Sequence, residues 1–188
     1  MTHWSDRFTG TACDAGIKEA RQYETFADWW EGTQSGDYML WLLREIGYCD
    51  QRVLRLLAVR FVRETTLSDG RTVWDLLEDE RSRQAVIVAE KYANGEASED
   101  ELRAAWDAAW TAAASASARE AESAWGAEVT AESAWESAWE SAWRMALAWR
   151  VAWGGAVVAQ HAAMTREMIP ASVIEPLINQ YIEESETL

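Results

Sequence analysis

Four arginines stand in one short stretch, "QRVLRLLAVRFVRETTL", at Arg52, Arg55, Arg60 and Arg63. Wound as a helix at about 100° per residue they fall within an arc of ~140°, the one basic stripe in the chain. Planar guanidinium forks grip phosphate in a bidentate way. Beside an aromatic ring they also stack, which is how a nucleotide base is captured. The same stripe would serve equally to tie this helix to acidic neighbours within the molecule. The residue types leave both readings open.

The aromatic partners are abundant. The chain holds 13 tryptophans, and "ESAWESAWESAWRMALAWRVAW" (132–153) places Trp135, Trp139 and Trp143 four residues apart. With Trp106 at 0°, the rings of Trp110, Trp125, Trp135, Trp139, Trp143, Trp149 and Trp153 all fall within an arc of about 120°. Such alignment over residues 106–153 describes a ridge on one helical face. A smooth strip of Ala134, Ala138 and Ala142 runs beside it, and small strips allow close helix approach. Each enclosed indole buries roughly 150–250 Å². Eight left in water would exceed the few hundred Å² of apolar patch that soluble monomers expose. The ridge is therefore expected to be covered by the N-terminal helices, by a second copy in a homodimer, or by a partner or ligand. Trp125, Trp139 and Trp143, at the edge facing the glutamates, are the rings expected to stay uncovered and bind.

Other chemistry is sparse. His3 and His161 are the only histidines, and neither belongs to a metal-ligand or catalytic pattern. His161, among Ala, Val and Met, reads as a core or rim residue. Glu128, Glu132, Glu136 and Glu140 repeat every four residues and read as a solvated or salt-bridged face. Cys13 and Cys49 match no zinc motif and are too few for a disulfide framework. With no G-x-S-x-G, phosphate-loop or dinucleotide motif either, no enzyme, cofactor or metal is expected.

These side chains must be carried by helices. Apolar residues recur at helical spacing almost throughout, alternation is absent, and the two prolines, Pro170 and Pro176, lie near the C-terminus. The fold class is all-α: an N-terminal helical bundle packed with a very long Ala/Trp-rich helix or antiparallel helical hairpins. Residues 1–20 read as a loosely ordered segment, 21–95 as the helical domain, 98–168 as the Ala/Trp-rich part, and 169–188 as a short C-terminal helix. Thr25 is expected to cap a helix ending near Gly32, and Asp37 to cap "DYMLWLLREIG", stopped by Gly47. Asp50 would cap the arginine helix, in which Leu54, Leu57, Ala58 and Phe61 share a face. After a turn at "SDG" (68–70), a helix over 72–95 would close at Asn94-Gly95. Ser98 and Glu101 form a capping box. Beyond them alanine fills 23 of the 60 positions from 104 to 163. One continuous helix over 99–168 would measure about 105 Å. Breaks near Gly126 and Gly154 would fold it into hairpins, and the sequence favours neither version.

At 188 residues, 49% apolar, the chain can bury a core, and no stretch is apolar enough to span a membrane. The N-terminus carries no secretory pattern, so a cytoplasmic protein with reduced thiols is expected. The net charge of −15 is lopsided: residues 1–95 hold 12 Lys/Arg against 16 Asp/Glu, residues 96–188 hold 5 against 16. That balance argues against direct binding to nucleic-acid backbone. It permits a basic protein partner or acidic mimicry of nucleic acid.

Three stretches carry a family resemblance: "SGDYMLWLLREIG", "LRLLAVRFVRE" and "VAEKYANGEASEDELRAAWDAAWTAAASA". Together they are similar to the Imm5-like immunity proteins of bacteria and their phages, over about residues 26–170. Family members often have "AACDCAR" where this chain has Ala58-Val59-Arg60-Phe61-Val62-Arg63, so a thiol or metal role there would not carry over. Many also use Tyr or Ala where this chain has Trp. The resemblance implies an antagonist that neutralises a toxin or host-defence component by protein contact. The residues themselves offer two alternatives: a sponge holding a nucleotide second messenger between Trp and Arg, and an acidic nucleic-acid mimic.

Overall fold

The computed structural model describes residues 3–115 and 154–186, and within them the chain is all-helical. A 3-10 turn at Trp4–Phe8 leads into α1 (Asp14–Ala20), α2 (Phe26–Gly32), α3 (Gly36–Glu45) and α4 (Gln51–Glu64). A second 3-10 turn, Trp74–Leu76, precedes α5 (Glu80–Ala93) and α6 (Glu99–Ser115). The last two helices are α7 (Gly155–Met168) and α8 (Ala171–Glu186).

Local chemistry sets most of these boundaries. Thr25 caps α2 by accepting from the Asp28 amide, and Asp50 caps α4 by accepting from Val53. Ser98 and Glu101 form their reciprocal box at the head of α6, at 2.7 and 3.2 Å. Gly47 and Gly95 end α3 and α5 at φ +73° and +75°, the left-handed conformation in which a glycine has no Cβ to clash.

Several expectations give way to the structure. Asp37 does not cap α3; the cap position is Ser35, and Asp37 lies buried in the first turn. The helix expected over 72–95 begins only at Glu80, because Asp79 turns its carboxylate onto the Arg81 amide and restarts the chain there. Residues 3–20 are not loosely held. His3 caps the first turn and its Nε2 lies 2.8 Å from the Tyr23 carbonyl oxygen, while Phe8 is buried against Tyr181 and Trp41. The C-terminal helix is longer than expected, 16 residues with Pro176 inside it. A single rod over 99–168 is also excluded: Gly154, at φ +79° and ψ −170°, is non-helical and starts α7 afresh. Gly126, the other proposed break, lies outside the described residues.

One buried cluster extends from Phe8 to Ile178, so the boundaries at 20, 95 and 168 are turns between elements of a shared core. Its centre is α7, which packs on α3 and α4 and buries Val157, Val158, His161, Ala162 and Met164. A helix enclosed on several sides loses the clean polar face of a surface helix. Gly36 lets α3 come close: a Cβ there would sit 2.7 Å from the Ala162 nitrogen. Trp30, wholly buried, donates its indole N–H to the Ile169 carbonyl at 3.0 Å. Arg166 reaches back to the Trp30 and Thr33 carbonyls at 3.1 and 2.8 Å, satisfying the open end of α2. On the other flank, α5 and α6 pair closely; Ala85 and Ala89 are buried on α5, and Leu102, Ala105 and Ala109 on α6.

Candidate functional site

The arginine stripe projects into the seam between α4 and its neighbours. Arg52 donates to the Ala93 carbonyl at 3.0 Å and to Asn94 Oδ1 at 3.1 Å, at the carbonyl end of α5. Arg55 is only 6% exposed and lies 4.8 Å over the Tyr92 ring, where burial lowers its pKa from the ordinary arginine value. Arg60 pairs with Glu64 and, across to α7, with Glu167. Arg63 pairs with Glu90 at 2.6 Å and stands over Trp74 at 4.9 Å. Three of the four thus reach α5 and one reaches α7, each already engaged within the chain. An open row of four phosphate-gripping guanidinium groups is therefore absent. What remains aromatic and cationic is the neighbourhood of Trp74, where Arg83 also lies over the ring at 5.9 Å.

Of the tryptophan ridge, Trp106 and Trp110 are described. Their rings lie 6.1 Å apart and tilted, Trp106 half-buried and Trp110 57% exposed. Among the described residues the N-terminal helices do not cover Trp110. On the same helix Ala105 and Ala109 are buried, while Trp110, next to Ala109, stands toward solvent. Trp125, Trp139 and Trp143, the rings expected to bind, lie outside the described residues, as do Glu128, Glu132, Glu136 and Glu140.

The clearest concavity was not anticipated. Where the first 3-10 turn and α1 fold over α2 and α3, they enclose a cavity of about 370 Å³. Five rings wall it, those of Trp4, Phe8, Trp29, Tyr38 and Trp41. Trp4 is 5.6 Å from Trp29 and Phe8 is 6.1 Å from Trp41, so the rings form a continuous aromatic lining. Asp37, 4% exposed, belongs to the same wall and is the one acidic or basic side chain in it. Cys13, exposed, borders the cavity and accepts from the Gly16 amide at 3.4 Å. A signal was present in the sequence: eight of the first 41 residues are aromatic. Reading residues 1–20 as loosely held hid it.

His161 takes no part in either region. It is fully buried, its ring stacked 4.1 Å from Phe61 and its Nε2 3.1 Å from Thr65 Oγ1, and burial pushes its pKa down to about 3. Among the described residues no group of His, Cys, Asp and Glu is placed to hold a metal ion, and no helix is long and apolar enough to cross a membrane. No known protein family, curated protein or solved structure matches this chain.

Proposed function

We propose that this chain is a non-enzymatic binding protein of the immunity or counter-defence kind, neutralising a toxin or defence component by protein contact. The observation that carries the reading is Trp110, a large ring held 57% in solvent on α6. Exposed tryptophans are the residues that most often anchor protein contacts. The helix that presents it is acidic, with Glu99, Asp100, Glu101 and Asp107 against Arg103. A basic partner is therefore the complementary one. The test is affinity capture with the full chain and its Trp110→Ala variant from a suitable host. One stoichiometric protein retained by the parent and lost by the variant is the expected result. Recovery of none, or equal recovery by both, overturns it.

A second reading, a sponge for a nucleotide second messenger, is favoured by one observation. Trp74 has guanidinium groups over it at 4.9 and 5.9 Å, and the buried Arg83 Nε has no hydrogen-bond partner among the described residues. A base stacking there would quench indole fluorescence, and the quench would disappear in Trp74→Phe. A nucleotide panel that gives neither quenching nor calorimetric heat sinks this reading.

A further inference from the structure

We infer that the cavity beneath the N-terminal segment is a binding site for a small neutral aromatic molecule of two fused rings. The inference is independent of the protein-contact reading, because none of the cavity residues lies on α6.

Size sets the scale of the ligand. An apolar cavity of about 150 Å³ accommodates benzene. The volume enclosed here, about 370 Å³, is more than twice that and lies within the roughly 300–1,000 Å³ typical of ligand pockets. Two fused rings fit such a space, and Cys13, exposed and part of the wall, marks its open side.

The wall then selects against charge. Its hydroxyl, thiol and carboxylate side chains are already engaged. Ser5 Oγ lies 2.7 Å from His3 Nδ1, Thr11 Oγ1 donates to the Phe8 carbonyl at 3.2 Å, and Cys13 Sγ accepts from the Gly16 amide at 3.4 Å. Asp37 and Tyr38 have partners in the chain as well. The indole nitrogens of Trp4 and Trp29 are buried, so these two rings present carbon to the cavity. A cation would shed its water and find the one carboxylate occupied, and an anion would find no lysine, arginine or histidine in the wall.

Aromatic character follows from how the rings are set. Trp4 and Phe8 meet at 71°, Phe8 and Trp41 at 78°, and Trp4 tilts 49° from Trp29. Rings at such angles offer faces and edges together, so a flat guest that stacks on one meets the next edge-on. A saturated guest of similar outline gains the burial and loses these ring contacts.

2-Naphthol is a suitable probe, set against its saturated counterpart decahydro-2-naphthol, the anion 2-naphthoate and the cation 2-naphthylmethylammonium. Calorimetry on the full chain is expected to show 2-naphthol binding at least about threefold tighter than the saturated alcohol and at least about tenfold tighter than either ion. Gly16→Leu tests the location. A Cβ at Gly16 would lie 3.5 Å from Cys13 Sγ and 3.9 Å from the Tyr38 ring, both ordinary contacts, so the substitution fits at its Cβ and takes up cavity space. That variant should lose at least about tenfold of the 2-naphthol affinity while keeping the helical circular dichroism of the parent. Should it fail to fold, Cys13 gives an independent readout: in a Cys49→Ser chain 2-naphthol should slow alkylation by iodoacetamide, and 2-naphthoate should not. The assignment is overturned if 2-naphthol binds no better than its saturated counterpart or either ion, or if folded Gly16→Leu keeps the parent's affinity. No heat and no protection up to about 1 mM 2-naphthol overturns it as well.

Discussion

At the scale of single residues, burial decides what each polar group can do. His161 is held neutral in the core, with its pKa pushed to about 3 against an ordinary value of 6.5. The unfolded chain takes up a proton near pH 6.5 and the folded chain does not. Stability is therefore complete above that pH and is lost as the pH falls toward 3. Going from about pH 7.5 to about 5.5 should cost roughly 1–1.5 kcal/mol in urea unfolding, and His161→Gln should remove most of that slope. Both conditions stay above the pI of about 4.5, where the chain would lose its net charge. An unchanged slope in the variant would show that other groups carry the acid sensitivity. Trp30 makes a second case, since its indole N–H is the donor to the Ile169 carbonyl. Trp30→Phe should lower stability by about 1–3 kcal/mol, read as a fall in Tm, because a buried acceptor loses its partner and the smaller ring leaves space.

At the scale of elements, the contacts are made by small residues as much as by large ones. Gly36 sets the approach of α3 to α7, and a methyl there would meet the His161 Cβ and the Ala162 nitrogen at 2.7 Å, both parts of the opposing helix. Gly36→Ala should cost about 1–3 kcal/mol, measured by thermal unfolding, with the cavity residues on α3 displaced along with the helix. The α5–α6 pair offers a sharper contrast between neighbouring positions. Ala109 is fully buried and Trp110 is not. Ala109→Leu should destabilise by about 1–3 kcal/mol through overpacking, whereas Trp110→Ala should stay within about 0.5 kcal/mol. A large loss from Trp110→Ala would mean that this ring packs rather than binds.

At the scale of the whole molecule, charge is the dominant property. The net charge of −15 is concentrated beyond residue 95. If the protein captures a basic partner, the association rate should fall by about tenfold or more between low and physiological salt, with dissociation less affected. A salt-insensitive rate would remove electrostatic steering from the proposed function. The arginine-rich helix does not oppose this polarity, since Arg60 and Arg63 are already matched by Glu64, Glu167 and Glu90.

The sequence by itself determined the helical class, because apolar spacing near 3.6 residues is a local property of the chain. It also determined the caps at Thr25, Asp50 and Ser98 and the stops at Gly47 and Gly95, each set by residues within one turn. Where a local rule had two solutions, the chain alone could not choose. Asp37 and Ser35 compete for one cap, and a "DLLEDE" segment can be helix or turn. Only the tertiary structure decided that the arginines are engaged within the chain, since Arg60 and Glu167 are brought together across 107 residues. It alone left Trp110 in solvent while burying Ala109 beside it. The cavity was least legible of all, because its wall joins Trp4, Ser5 and Phe8 to rings and a carboxylate from α2 and α3. Helical periodicity says which face of each segment is apolar. It carries no information on where several such faces meet without filling the space between them.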